Sequence, residues 1–158
     1  LPETATIVLL SFGGLGLNRL PWNQLAQQQD YFFVMTGTAH RRDGSLLTLP
    51  ATQTHYQDLL RAVDAIVTKP GYGIVADVLV QRIPILYTDR GDFPEYPRLV
   101  AALNDCATAQ FIPQDALLRG NLSPYLGRLL AKAPHWPDVE LNGAQVAAQK
   151  ILSMLDPS

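Results

Sequence analysis

The amino-acid sequence predicts an α/β fold: a Rossmann-like open parallel sheet of about six strands with helices on both faces. Three observations lead to this prediction. Short continuous apolar runs, typical of strands buried on both faces, recur along the chain. Segments with apolar residues at helical spacing separate most of these runs. Turns rich in Gly, Pro or polar residues stand at the strand ends, and strands that alternate with helices favour a parallel sheet.

Each predicted element follows from its local pattern. Six apolar, β-rich runs are predicted strands: 7–12, 31–35, 46–49, 64–68, 83–87 and 109–112. Seven segments with helical spacing or a Pro at the start are predicted helices: 21–29, 56–63, 74–81, 97–103, 114–118, 124–132 and 144–155. Residues 40–45, HRRDGS, are predicted to form a polar turn. Right-handed crossovers put the strand-to-helix loops at one edge of the sheet, where ligands of such folds bind.

Composition limits the class of protein. The 158 residues, 47% of them hydrophobic, suit one domain over 1–158, with residues 1–5, LPETA, as a linker. A formal net charge of -2 argues against a general nucleic-acid binder. The single cysteine, Cys106, excludes intrachain disulfides and thiolate zinc clusters. The sequence shows neither a bilayer-spanning run nor a signal peptide, so a cytoplasmic location is expected.

The first glycine loop, SFGGLGLN, follows the first predicted strand. Gly13, Gly14 and Gly16 allow close approach of the backbone to a ligand. The loop does not match the full dinucleotide fingerprint, and no Gly-Lys-Ser/Thr phosphate motif follows it. A standard dehydrogenase or nucleotide hydrolase is therefore not predicted.

The second glycine loop, TKPGYG, joins the fourth strand to a helix that is expected to begin near Ile74. Gly71 and Gly73 would leave the first amides of that helix open to an anion, and Lys69 would add a positive charge. The pattern therefore indicates a phosphate site. The alternative is that these glycines serve only the turn between strand and helix.

Asp77 lies one turn further along the same apolar helix. A carboxylate there can accept hydrogen bonds from two ribose hydroxyls while the helix start holds phosphate. The alternative is an exposed Asp that the helix dipole favours in the first turn.

These residues resemble a known family. VTKPGYGIVADVLVQRIPIL resembles the nucleotide-sugar-binding segment in the C-terminal half of glycosyltransferases with two Rossmann-like halves, the MurG-type/UDP-glycosyltransferase superfamily. SFGGLG resembles the glycine loop that opens the same half, and the resemblance covers about residues 6–103. GYGIVADVL followed by DRGDFPEY also resembles the glycosyltransferase-like region of plant L-arabinokinase.

The resemblance implies a nucleotide diphosphate sugar as donor, with a UDP-sugar favoured, and neither a metal ion nor another cofactor. It assigns phosphate or cleft contacts to three glycines, the pyrophosphate to the second loop, the ribose to one acid and the donor sugar to three residues near the next helix. These are, in that order, Gly13, Gly14 and Gly16; Lys69, Gly71, Tyr72 and Gly73; Asp77; and Asp92, Glu95 and Tyr96. The alternative for Asp92 and Glu95 is surface pairing with Arg90 or Arg98.

The family has a second Rossmann-like half, which binds the acceptor and commonly supplies the catalytic base. The resemblance therefore implies that this chain is an excised donor-binding domain, inactive alone, with its catalytic residues unknown. Peripheral membrane association would come only through the missing half. The family usually has Glu at the position of Asp77 and Gln or Asn in the sugar loop, so the donor sugar is not specified. The alternative function is a non-catalytic nucleotide- or sugar-sensing domain of a larger protein.

The remaining polar residues give no second site. His40, His55 and His135 lie in different segments without metal-ligand spacing, so no metal site is predicted. Ser11 is not in a nucleophile elbow, because Gly-x-Ser-x-Gly is absent.

Overall fold

The protein, represented by a computed structural model, is described for residues 5–12 and 20–155. Within these residues seven strands form one sheet: β1 (Thr6–Ser11), β2 (Tyr31–Gly37), β3 (Arg41–Asp43), β4 (Leu46–Pro50), β5 (Ala65–Thr68), β6 (Ile85–Tyr87) and β7 (Ala109–Phe111). The helices of the same residues are α1 (Trp22–Ala26), α2 (Tyr56–Arg61), α3 (Tyr72–Gln81), α4 (Tyr96–Cys106), α5 (Gln114–Leu118), α6 (Ser123–Leu130) and α7 (Gly143–Leu155). The predicted Rossmann-like α/β fold is confirmed.

The strand order explains where a ligand site can form. Across the sheet the strands run β3-β4-β2-β1-β5-β6-β7, and all neighbours are parallel except β3 and β4. The six parallel strands therefore spread in both directions from β1, which is the order of a doubly wound dinucleotide-binding fold. The order reverses between β1 and β5, where Ser11 pairs with Thr68. A crevice is expected beyond this pair of strand ends.

The sheet has seven strands rather than about six, because part of the segment predicted as a polar turn, 40–45, forms a strand, and only residues 44–45 form a turn. Arg41–Asp43 forms an antiparallel edge strand, with Arg42 opposite Leu47. Gly44 has a φ of 52°, which lets the chain reverse tightly into β4. The Arg42 guanidinium lies over the Phe32 ring, with its Cζ 5.3 Å from the centroid. Polar side chains at a sheet edge carry no apolar pattern, so periodicity gave no signal for this strand.

The parallel strands are covered on both faces, as the continuous apolar runs predict. Neighbouring residues of β1 point to opposite faces, so Leu10 and Leu9 belong to different core clusters. The Leu10 cluster includes buried residues of α1, α5 and α6, and the Leu9 cluster includes buried residues of α2, α3 and α4. Helix α7 buries none of its residues.

Within residues 5–12 and 20–155, no helix is both long and apolar enough to cross a membrane.

Helix α6 provides a matched test of this core. Leu129 is fully buried in the cluster beneath α6, whereas its neighbour Leu130 is 37% exposed. Leu129→Ala is expected to lower the free energy of unfolding by about 2–5 kcal/mol, because it leaves a cavity between α6 and the sheet. Leu130→Ala is expected to cost about 1 kcal/mol or less. Urea unfolding measures both, and equal losses would contradict the packing of α6.

Candidate functional site

A cavity of about 410 Å³ opens beyond the carboxyl ends of β1 and β5. This is the point where the strand order reverses, so the fold itself creates the opening. Its walls come from these strand ends, from the starts of α2 and α3, and from the loop after β6. The lining residues are Ser11, Phe12, Tyr56, Thr68, Lys69, Gly71, Gly73, Ile74, Asp77 and Arg90.

The start of α3 borders the cavity. Gly71 is the N-cap residue of this helix, and among the described residues no side-chain hydrogen bond caps it. The first-turn amides therefore keep free donors and the positive end of the helix dipole. Lys69, half-buried, lies two residues before the N-cap and lines the same cavity. This wall of the site can attract and bind an anion.

The two glycines of the loop differ in their surroundings. A methyl group added at Gly73 would meet no atom within 4 Å, so this glycine borders open space. A methyl group at Gly71 would lie 2.6 Å from Nη1 of Arg90, so the guanidinium would have to move. The absence of a side chain at Gly71 therefore leaves room for the observed position of Arg90. Tyr72, predicted as part of the pyrophosphate loop, is 59% exposed and is not among the lining residues.

Hydroxyl groups connect the two strand ends. The Thr68 hydroxyl donates to the carbonyl oxygen of Ser11 at 2.5 Å. The hydroxyl oxygen of Ser11 lies 2.9 Å from the phenol oxygen of Tyr56, the first residue of α2. Burial raises the pKa of Tyr56 above its ordinary value of 10.0; the nearby Asp77 carboxylate raises it further, and the bond to Ser11 opposes the shift. Tyr56 is therefore a neutral phenol at physiological pH and not a base.

Asp77 lies on the cavity side of α3 and is half-buried. Its Oδ1 accepts a hydrogen bond from Nε2 of Gln57 at 2.9 Å, so α2 helps to hold the carboxylate in place. The first turn of α3 contains no acidic residue, and Asp77 is the sixth residue of the helix. The alternative that the dipole favours an Asp in the first turn does not apply. The remaining lone pairs of the carboxylate can accept from hydroxyl groups of a ligand.

The predicted sugar-contact residues lie in and after the loop that follows β6. Asp92 and Glu95 are exposed and Tyr96 is half-buried, and none of the three lines the described cavity. Burial, and then the Asp89 carboxylate, raises the pKa of Tyr96. Within residues 5–12 and 20–155, neither Asp92 nor Glu95 forms an ion pair, so the alternative of pairing with Arg90 or Arg98 is not observed there.

The glycines of the predicted loop after β1, which are Gly13, Gly14 and Gly16, lie outside the described residues. In the described ranges, no group of three or more His, Cys, Asp or Glu side chains could hold a metal ion.

The polar lining residues also include Ser11, Tyr56, Thr68 and Arg90, which the sequence did not predict as site residues. The helical spacing of 56–63 predicts only a helix that contains Tyr56, and the sequence indicates Arg90 only as a surface ion-pair partner. Ser11 ends β1 and Arg90 follows β6 by three residues. Polar residues immediately after parallel strands share one sheet edge, so this position was an available signal for Ser11 and Arg90. Gln57, which holds Asp77, gave no signal of its own.

Comparison with known proteins supports the fold. No protein-family model matches the chain. The chain is 28% identical over 156 residues to the L-arabinokinase of Arabidopsis thaliana. The matched region covers 92% of this chain and 14% of that protein. Its structure is similar to the calicheamicin glycosyltransferase CalG4, with a TM-score of 0.65 at 15% identity over 84% of this chain and 35% of that one. The structure is also similar to the spinosyn forosaminyltransferase SpnP, with a TM-score of 0.59 at 16% identity. That match covers 83% of this chain and 38% of SpnP.

The two solved neighbours are glycosyltransferases, as the resemblance of residues 67–86 predicts. At 15% and 16% sequence identity, the structural similarity establishes the fold alone. The chain spans 35% and 38% of the length of the two solved chains and 14% of the length of the L-arabinokinase.

The charge of Asp77 can be tested through Tyr56. Asp77→Asn is expected to lower the pKa of the Tyr56 phenol, because the carboxylate is one cause of its rise. The pKa should stay above 10.0, since burial is the larger cause. An alkaline titration followed by NMR of isotope-labelled tyrosine measures it. Asp58→Asn, an exposed site on α2, is the control, and an equal change in both variants would contradict the proximity of Asp77.

Proposed function

We propose that this chain is the donor-binding domain of a glycosyltransferase, which binds a nucleoside diphosphate sugar for transfer of the sugar to an acceptor hydroxyl. The observation that carries the proposal is one cavity that combines Lys69, the uncapped start of α3 and the Asp77 carboxylate. The cation and the helix start suit a phosphate group of the donor, and the carboxylate suits ribose hydroxyls. The fold, shared with solved glycosyltransferases, supports the same function.

The proposed chemistry is stabilisation of the leaving group. When the bond between the anomeric carbon and the diphosphate breaks, negative charge grows on the diphosphate. Lys69 and the amides at the start of α3 would hold that charge in a fixed arrangement, which lowers the barrier to transfer. The chain's own residues would neutralise this charge, without a metal ion or cofactor. Ribose binding by Asp77 would orient the donor, and UDP is the favoured nucleotide.

Activation of the acceptor is assigned to a part of the protein outside this chain. Among the described lining residues Asp77 is the single carboxylate, and its proposed role is donor binding. Tyr56 retains its proton. We therefore propose that residues 1–158 form one donor-binding domain of a longer cytoplasmic protein, with 1–5 as a linker and the acceptor bound by a second half. The match covers 35% and 38% of the two solved chains, which leaves room for such a half.

A second candidate is a non-catalytic nucleotide- or sugar-sensing domain. The observation that favours it is the match to an L-arabinokinase, whose name describes a kinase and not a glycosyltransferase. The match covers 14% of that protein's length. The two candidates share nucleotide binding by this chain and differ in whether the complete protein transfers a sugar. Release of nucleoside diphosphate from a nucleotide sugar by the complete protein, dependent on an acceptor, would favour the enzyme.

Asp77→Ala is expected to weaken UDP binding by roughly 10- to 150-fold. Loss of a charge-assisted acceptor for the ribose hydroxyls costs about 1.5–3 kcal/mol. Titration calorimetry measures the affinity, with Asp58→Ala as the matched control, because Asp58 is exposed and pairs with Arg61 outside the cavity. Pyrophosphate, which lacks a ribose, should bind Asp77→Ala as well as it binds the parent chain. Unchanged UDP affinity would show that Asp77 does not bind the nucleotide.

Residues 1–158 alone are expected to bind a nucleotide sugar but to transfer no sugar. The described lining residues include no free base for an acceptor hydroxyl, and the cleft that would exclude water is incomplete without a second half. Diphosphate release from a panel of nucleotide sugars, with and without alcohol acceptors, measures the reaction. Acceptor-dependent release that disappears in Asp77→Ala would show that this chain contains a complete catalytic site.

A further inference from the structure

Arg90 connects the loop after β6 to the loop after β5. Its Nη1 donates a hydrogen bond of 2.6 Å to the carbonyl oxygen of Pro70. Pro70 is buried and directly precedes the N-cap residue of α3. The guanidinium is therefore fixed beside the uncapped helix start, although Arg90 lies twenty residues further along the chain.

Two further contacts fix the orientation of the guanidinium. Its Cζ lies 4.0 Å from the centroid of the Phe93 ring, within cation–π distance. Phe93 in turn packs against the core cluster that contains Leu9. On the other side, Gly71 has no side chain and leaves room for Nη1. The bond to Pro70 holds the edge of the guanidinium, and the Phe93 ring holds its face. The Arg90 side chain therefore loses little further conformational freedom when it binds a ligand.

The guanidinium still has binding capacity. Arginine has five N–H donors, and the bond to Pro70 uses one. Among residues 5–12 and 20–155, no carboxylate lies within ion-pair distance of Arg90 or of Lys69. Both side chains line the cavity. The described part of the cavity thus holds two cations that form no ion pair with a carboxylate of that part.

We propose that Arg90 binds the second phosphate of a nucleoside diphosphate and so sets a preference for diphosphate over monophosphate ligands. This inference rests on the proposed nucleotide-binding function and adds a residue to it. The start of α3 and Lys69 suffice for one phosphate, whereas a diphosphate carries a second charged group that requires its own donors. The planar fork of Arg90, next to Gly71, supplies them in a fixed geometry.

The test compares UMP, UDP and inorganic pyrophosphate in calorimetric titrations at one ionic strength. Arg90→Gln is expected to weaken the binding of UDP and of pyrophosphate at least tenfold. It should weaken the binding of UMP less than threefold. Arg90→Lys should recover part of the UDP affinity, since it keeps the charge but not the fork. Arg98→Gln, which removes an exposed charge on α4, is the control and should leave the UDP-to-UMP ratio unchanged.

Gly71→Ala tests the same contact without changing Arg90. The added methyl group would displace the guanidinium, so UDP affinity should fall selectively, as in Arg90→Gln. The double variant should be about as weak as Arg90→Gln alone, because both changes remove one interaction. Additive losses would contradict a shared role.

The outcomes separate the inference from the proposed function. If Arg90→Gln weakens the binding of UMP and of UDP equally, Arg90 only stabilises the loop after β5. The inference is then overturned, while nucleotide binding stands. If the parent chain binds pyrophosphate through Arg90 but neither nucleotide, the proposed function is overturned and the role of Arg90 as a phosphate ligand stands. If the parent chain binds none of the three ligands, both are overturned.

Discussion

The site depends on the register between β1 and β5. Ser11 stands opposite Thr68 in the parallel pairing, and the Thr68 hydroxyl donates to the Ser11 carbonyl. This pairing ends both strands at the same level and opens the cavity beyond them. It also places Ser11 to bond Tyr56, and it delivers the chain to Lys69 directly after Thr68. A slip of one residue would turn alternate side chains to the opposite face and separate these groups.

Two groups of side chains give the cavity a mixed character. The first consists of Lys69 and Arg90 around the start of α3, and it is positive. The second is the hydrogen-bonded set of Ser11 with Tyr56 and of Gln57 with Asp77, which offers hydroxyl groups and one carboxylate. In a half-buried cavity such charges interact more strongly than in water. The combination suits a ligand with both an anionic part and a hydroxyl-bearing part.

Much of the fold could be predicted because its signals are local. Apolar runs identify the six parallel strands, although their ends shift: β5 begins at Ala65 rather than Asp64, whose carboxylate instead accepts a hydrogen bond from the backbone N–H of Ile7. The strand at Arg41–Asp43 could not be predicted, because pairing with β4 creates it rather than any apolar pattern. The predicted positions Lys69, Gly71, Gly73 and Asp77 do line one cavity, while Tyr72, Asp92, Glu95 and Tyr96 do not.

The sequence by itself determined the Rossmann-like class, the loop that leads into α3 and the presence of a carboxylate on that helix. These follow from propensities, turn residues and periodicity within a few neighbouring residues. Tertiary structure alone decided the strand order, the meeting of Ser11 with Tyr56, and the approach of Arg90 to Gly71. The physical reason is that these contacts join residues distant along the chain. Their geometry depends on how the sheet twists and on how the helices pack against it, and no local pattern records either.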